Sequence, residues 1–191
     1  MRSKKGRFAL VLLMVLGLAA TSVAFAATRG DGNHHNGKSD ARQFTAHLTG
    51  YDEVPSLNSP AHADLTLTVG ANSLTWSLTY AGFVNQPTVA HVHVGQPGVS
   101  GGVAFFFCGG GGKAACPSSA SGPVTITGST VAADIMGPTA QGFAAGDLPS
   151  IVKAIQAGVT YANMHTTVFP GGEIRGQLVG GGHGQDQDEN D

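Results

Sequence analysis

Three histidines, His91, His93 and His165, have the types and spacing to do chemistry in this chain of 191 residues. His91 and His93 are two residues apart, so on an extended strand both imidazoles point to one face. A third imidazole from a neighbouring strand would complete a trigonal or tetrahedral nitrogen set suited to copper or zinc, with Glu173 or water as a fourth ligand. Asn163, Arg175 and Glu53 are candidates for polar support around such a centre. Buried beside the histidines, Glu173 and Arg175 would fix ring tautomers and accept or donate hydrogen bonds; as an exposed pair they would contribute only about 0 to 1 kcal/mol. The competing reading gives the same histidines a structural task, hydrogen-bonding backbone carbonyls and carboxylates and so locking a sheet.

Whether the three rings meet depends on the segments that carry them. Residues 90–94, 161–166 and 172–177 each alternate polar and apolar side chains in the manner of half-buried strands. His91 and His93, then Tyr161, Asn163 and His165, then Glu173, Arg175 and Gln177 fall on one face. Ala90, Val92, Val94, Met164, Ile174 and Leu178 fall on the other. The site therefore requires these three strands to be close neighbours in one sheet.

The rest of residues 44–179 reads the same way. Residues 44–49, 65–69, 74–80 and 124–127 alternate, Ala71 and Asn72 lie in a hairpin turn, and residues 103–107 form an apolar run expected of a strand covered on both faces. About eight short strands broken by turn residues predict an all-β domain, an antiparallel β-sandwich or barrel. One short helix is expected where Asp147 caps, Pro149 fits the first turn, and Ile151, Val152 and Ile155 make a stripe ending at Gly158. It should plug one end of the sandwich.

Residues 1–26 read as an export signal, with Arg2, Lys4, Lys5 and Arg7 ahead of an apolar run and Ala24-Phe25-Ala26 at a small-x-small cleavage site. Retention as an anchor is the alternative, since the run just reaches the ~20 residues that span a bilayer. Residues 27–43 are a polar, Gly- and His-containing disordered linker, and residues 180–191 a disordered acidic tail. Cleavage removes four of the ten basic residues and none of the twelve acidic ones, leaving six against twelve, a net charge of −6. That balance argues against nucleic acid as a partner. Cys108 and Cys116, enclosing seven residues, are expected to form a disulfide in an extracytoplasmic compartment: periplasm, cell surface or medium.

Enzyme signatures are weak. Gly98-Val99-Ser100-Gly101-Gly102 fits G-x-S-x-G in letters only, because it lies in a Gly/Pro loop between strands rather than at a strand-to-helix elbow. The glycines before Lys113 lack the Gly and Ser/Thr that a phosphate loop requires. His47 and His62 are expected at the surface, and His34, His35 and His183 lie in the tails.

Together, Phe44-x-Ala46-x-Leu48-x-Gly50-x-x-Glu53-Val54-Pro55, Ala90-His91-Val92-His93-x-Gly95, and Tyr161-x-Asn163-x-His165-Thr166-x-x-x-Pro170-Gly171-Gly172-Glu173-Ile174-Arg175-Gly176-Gln177-Leu178 resemble the CHRD domain. That family takes its name from chordin and is found alone in many bacterial secreted proteins. The resemblance implies an extracytoplasmic β-sandwich-like module, immunoglobulin-like or copper/zinc superoxide dismutase-like in architecture, and little chemistry. In chordin the surrounding protein binds growth factors of the bone morphogenetic class, and nothing in this chain carries that partner over. The His-x-His strand is similar to the copper-ligand strand of those dismutases, but no run of zinc-ligand histidines and aspartate follows His93. The expected function is a non-enzymatic binding or structural module for an extracellular protein or envelope component, and the alternative is a copper- or zinc-binding protein using the three histidines.

Overall fold

The structure, a computed structural model, describes residues 43–180. The expected export signal, nearly all of the linker and the acidic tail lie outside them. Nine strands and one α-helix follow in order: β1 (Gln43–Thr49), β2 (His62–Val69), β3 (Ser73–Ala81), β4 (Pro87–Val94), β5 (Gly102–Cys108), β6 (Val124–Val131), α1 (Leu148–Gln156), β7 (Thr160–Thr166), β8 (Ile174–Gln177) and β9 (Val179–Gly180). All pairings are antiparallel, and the strands form one sheet in the order β5-β4-β7-β8-β1-β2-β3-β6, with β9 alongside β1.

Alternation in the sequence becomes alternation in space. Phe44, Ala46 and Leu48 of β1, Leu65 and Leu67 of β2, and Leu74, Trp76 and Leu78 of β3 point into one shared core. Val92, Phe105 and Met164 enter it from β4, β5 and β7. The sheet curls around this core, so that across it the Trp76 ring of β3 and the Phe107 ring of β5 meet edge to face at 4.8 Å. Just past β6, the Met136 N–H donates to the Ala104 carbonyl of β5 at 2.9 Å. The result is a nearly closed barrel. Gly128 of β6 lies opposite Trp76, where a Cβ would sit 2.6 Å from the indole, so glycine lets the large ring lie flat against that strand.

The helix forms where it is expected. The Asp147 carboxylate accepts from the Ser150 N–H at 3.1 Å, and Leu148, Ile151, Ala154 and Ile155 join the core. The Cys108–Cys116 disulfide is formed. It ties β5 to a loop whose Gly110 and Gly111 backbones lie against the Phe106 ring, leaving no room for a Cβ. Replacing both cysteines with alanine should lower unfolding free energy by about 2 to 3 kcal/mol on the chain-entropy account of a short loop. Urea denaturation midpoints of the two proteins check this; equal midpoints would make the covalent closure dispensable.

Candidate metal centre

The three strands named by the sequence are adjacent, in the order β4-β7-β8. Across them His91 pairs with Asn163, His93 with Tyr161, Val89 with His165, Asn163 with Arg175 and Tyr161 with Gln177. Ala90, Val92, Val94, Met164 and Ile174 turn into the barrel. The histidines therefore stand on its outer face. Toward β5 the pairing slips twice, between Ala90 and His91 and between Val92 and His93. Bulges of this kind re-aim side chains, and here Phe106 comes to lie opposite His91 with its ring edge-on to the imidazole at 5.2 Å.

An outer face of a sheet is ordinarily wet; this one is roofed. His91 is 5% exposed, Asn163 3%, Tyr161 4% and Arg175 3%. Over His93, Tyr161 and Arg175 the roof is residues 95–101, the glycine-rich turn that resembles a nucleophile elbow only in letters. His93 Nδ1 donates to the Gly101 carbonyl at 2.8 Å, and Gly101 N–H donates to the Tyr161 hydroxyl at 3.1 Å. The Arg175 guanidinium donates to the Gln96 and Val99 carbonyls, both at 3.0 Å. Gly101 passes so close to the Val94 carbonyl that no Cβ fits there. On the other side, His165 Nδ1 donates to the Pro170 carbonyl at 2.9 Å.

These bonds decide the tautomers. A carbonyl only accepts, so His93 and His165 carry their protons on Nδ1 and present bare lone pairs at Nε2. Those two Nε2 atoms and His91 Nδ1 are buried without a hydrogen-bond partner. One ligand atom from each of the three rings lies within 4.8 Å of the others, with ring centroids 4.4 Å apart for His91 and His93 and 4.7 Å for His91 and His165. Burial, reinforced by the neighbouring rings, pushes the pKa of His91 down to about 3. Burial likewise takes His93 to about 4 against the raising effect of its Gly101 bond, and it lowers His165. Three neutral imidazoles converge, each already free of the proton a metal would have to displace.

The polar residues named beside them occupy a different network. Glu173 accepts from Ser59 at 2.7 Å through one oxygen and from Thr166 at 2.6 Å through the other. Asn163 donates to Glu53 and to the Ile174 carbonyl. Glu53, its pKa raised by burial, lines a cavity of about 230 Å³ with Val54, Pro55, Val168 and Phe169. Arg175 lies 3.5 Å over the Tyr161 ring, and Tyr161 is nearly parallel to His93, 7° between planes and 4.7 Å between centroids. His47 and His62 are exposed as expected, His47 paired with Asp64 at 2.8 Å. Reading the sequence did not single out Phe106, Ser59, Thr166 or the carbonyls of Gly101 and Pro170. The glycine and proline punctuation of the loops was the available signal.

An antiparallel barrel with a roofed polar cluster on one outer quadrant is the class of structure this chain forms. A sequence model of the CHRD domain matches residues 44–178, and the chain belongs to that family. Searches of curated proteins and of solved structures gave no match. Among the described residues no helix is long and apolar enough to cross a membrane.

Proposed function

We propose that this CHRD domain is an extracytoplasmic metal-binding module holding one copper or zinc ion between His91, His93 and His165. The observation that carries the reading is a set of three imidazoles that bring one ring nitrogen apiece within 4.8 Å of the others, each ring also holding a buried nitrogen without a partner. A buried polar atom without a partner costs roughly 1 to 3 kcal/mol, and a cation shared by all three answers that cost at one stroke. The Gly101 and Pro170 carbonyls hold two of the rings in the tautomer a metal needs, as second-layer partners of metal-bound histidines do. The structural reading accounts for half of each of those rings. His93 and His165 do lock loops through Nδ1, but that leaves their Nε2 atoms without a task. Extracytoplasmic placement is supported by the disulfide and by the signal-like N-terminus of the sequence.

Calorimetric titration of the purified protein with Cu(II) and Zn(II), beside a His91→Ala/His93→Ala/His165→Ala variant, tests the proposal. One equivalent should bind tightly, and the variant should lose it, leaving at most weak binding by the tail histidines. Equal heats from both proteins would overturn the site.

A further inference from the structure

Resting on the metal reading above, the geometry points to copper(I) as the ion the three-histidine site selects, with Arg175, stacked on Tyr161 beside His93, as the residue that sets this preference. Three independent features of the site favour a monovalent, low-coordinate ion.

The first is the donor set. Three neutral imidazole nitrogens face the centre, and the nearby anions are committed elsewhere: Glu173 to Ser59 and Thr166, Glu53 to Asn163 and the Val54 N–H. Both cysteines are in the disulfide, and Met164 faces the core. A divalent ion here would keep its full charge in a buried place, where uncompensated charge is costly. A monovalent ion brings half of it.

The second is coordination number. Zinc sites are almost always four-coordinate, and copper(II) favours tetragonal surroundings. Copper(I), a closed-shell ion, is satisfied by three donors. His91 is 5% exposed and each ring has a buried nitrogen, so no fourth protein donor is at hand, and a solvent ligand would have to enter past the half-buried His93 and His165 rings.

The third is the fixed charge. Arg175 is 3% exposed, and its hydrogen bonds go to the Gln96 and Val99 carbonyls rather than to a carboxylate. Its guanidinium covers the Tyr161 ring, which in turn stacks on His93. A cation held beside the centre raises the free energy of a divalent ion more than that of a monovalent one, because the repulsion scales with the charge it meets.

The test measures dissociation constants of the full-length protein for Cu(I), under anaerobic conditions against a chromogenic Cu(I) chelator, and for Cu(II) and Zn(II). The same constants are measured for Arg175→Gln and Arg175→Lys. Wild type should bind one Cu(I) at least ~100-fold more tightly than Cu(II), which raises the potential of the bound couple by ~120 mV over the aqueous one. Arg175→Gln should narrow that ratio ~10-fold, and Arg175→Lys, keeping the charge, should narrow it less. Wild-type Cu(II) or Zn(II) binding as tight as Cu(I) would overturn the selectivity while leaving a metal site in place. An unchanged ratio in a folded Arg175→Gln would remove Arg175 from it. If none of the three ions binds, the metal reading itself fails. The wild-type ratio decides the ion's identity even if a variant does not fold.

Discussion

Acidification should unfold the metal-free domain between about pH 6 and pH 4, and the three histidines should be the main cause. In the folded state His91 titrates at about 3 and His93 at about 4, against an ordinary value of 6.5. The unfolded chain therefore binds more protons throughout the interval between these values. Stability is fully present above the unfolded pKa and is lost as pH falls through the folded ones. Each ring adds a slope approaching ~1.4 kcal/mol per pH unit, so two rings over two units come to ~5 kcal/mol. That is comparable with the entire stability of many domains, ~5 to 15 kcal/mol. Burial lowers His165 as well and adds to the effect. Glu53 works in the opposite sense: its pKa is raised by burial, so the folded state gains stability from that group as it takes up its proton. Urea midpoints of the metal-stripped protein at several pH values, beside a His91→Gln/His93→Gln variant, check the prediction. The wild-type curve should fall steeply below pH 6 and the variant's should flatten. Parallel curves would place acid sensitivity in the carboxylates instead. Metal bound to the same nitrogens should move the wild-type transition to lower pH, because the proton must then compete with it.

Much of this architecture was legible because it depends on local alternation. A period of two over residues 90–94 and 161–166 identifies the inward face, and the inward residues Ala90, Val92 and Met164 are each at 0% exposure. The pattern Asp147, Pro149, Ile151, Ile155, Gly158 marks the helix because cap, first turn, stripe and stop are all local. The adjacency of β4, β7 and β8 was a condition the alternation could not supply, since strand order is a long-range property. What the alternation hid was burial on the outer face. Period two assigns His91, Asn163, Tyr161 and Arg175 to the side away from the core, ordinarily solvent. Residues 95–101 fold back over Tyr161 and Arg175 through backbone groups, Asn163 is covered by Glu53 and Gly172, and His91 by Phe106 and the neighbouring imidazoles, contacts whose positions no side-chain alternation records. Glu173 illustrates the same limit. Spacing placed it on the face of Arg175, yet its partners are Ser59, 114 residues away in sequence, and Thr166. The bulges that bring Phe106 against His91 depend on the β4–β5 register and leave no mark in a run as uniformly apolar as residues 103–107.

Glu173→Ala should be the most damaging single substitution outside the core and should act on the metal centre at one remove. The residue is 2% exposed and joins three elements. Its oxygens accept from Ser59, in the connection between β1 and β2, and from Thr166 at the end of β7. Its own N–H donates to the Met164 carbonyl at 2.8 Å. Thr166 Oγ1 accepts from the Phe169 N–H at 3.2 Å, and one residue further on the Pro170 carbonyl holds His165 Nδ1. Alanine would leave the Ser59 and Thr166 hydroxyls without their acceptor and open a void, a loss of about 2 to 4 kcal/mol. It would also loosen the carbonyl that fixes the His165 tautomer, weakening metal binding by roughly 10- to 100-fold, the usual range for such outer partners. Glu173→Gln separates support from ligation. Its side-chain oxygen still accepts one hydroxyl and its NH₂ can meet the lone pair of the other, so stability should fall by only about 1 kcal/mol and metal affinity should stay within a few-fold of wild type. A folded Glu173→Gln protein that had lost metal binding altogether would make Glu173 a direct ligand, requiring it to exchange its Ser59 and Thr166 bonds for the ion. With the opposite result the centre is made of three histidines, and Glu173 serves it by holding the Thr166–Pro170 turn against His165.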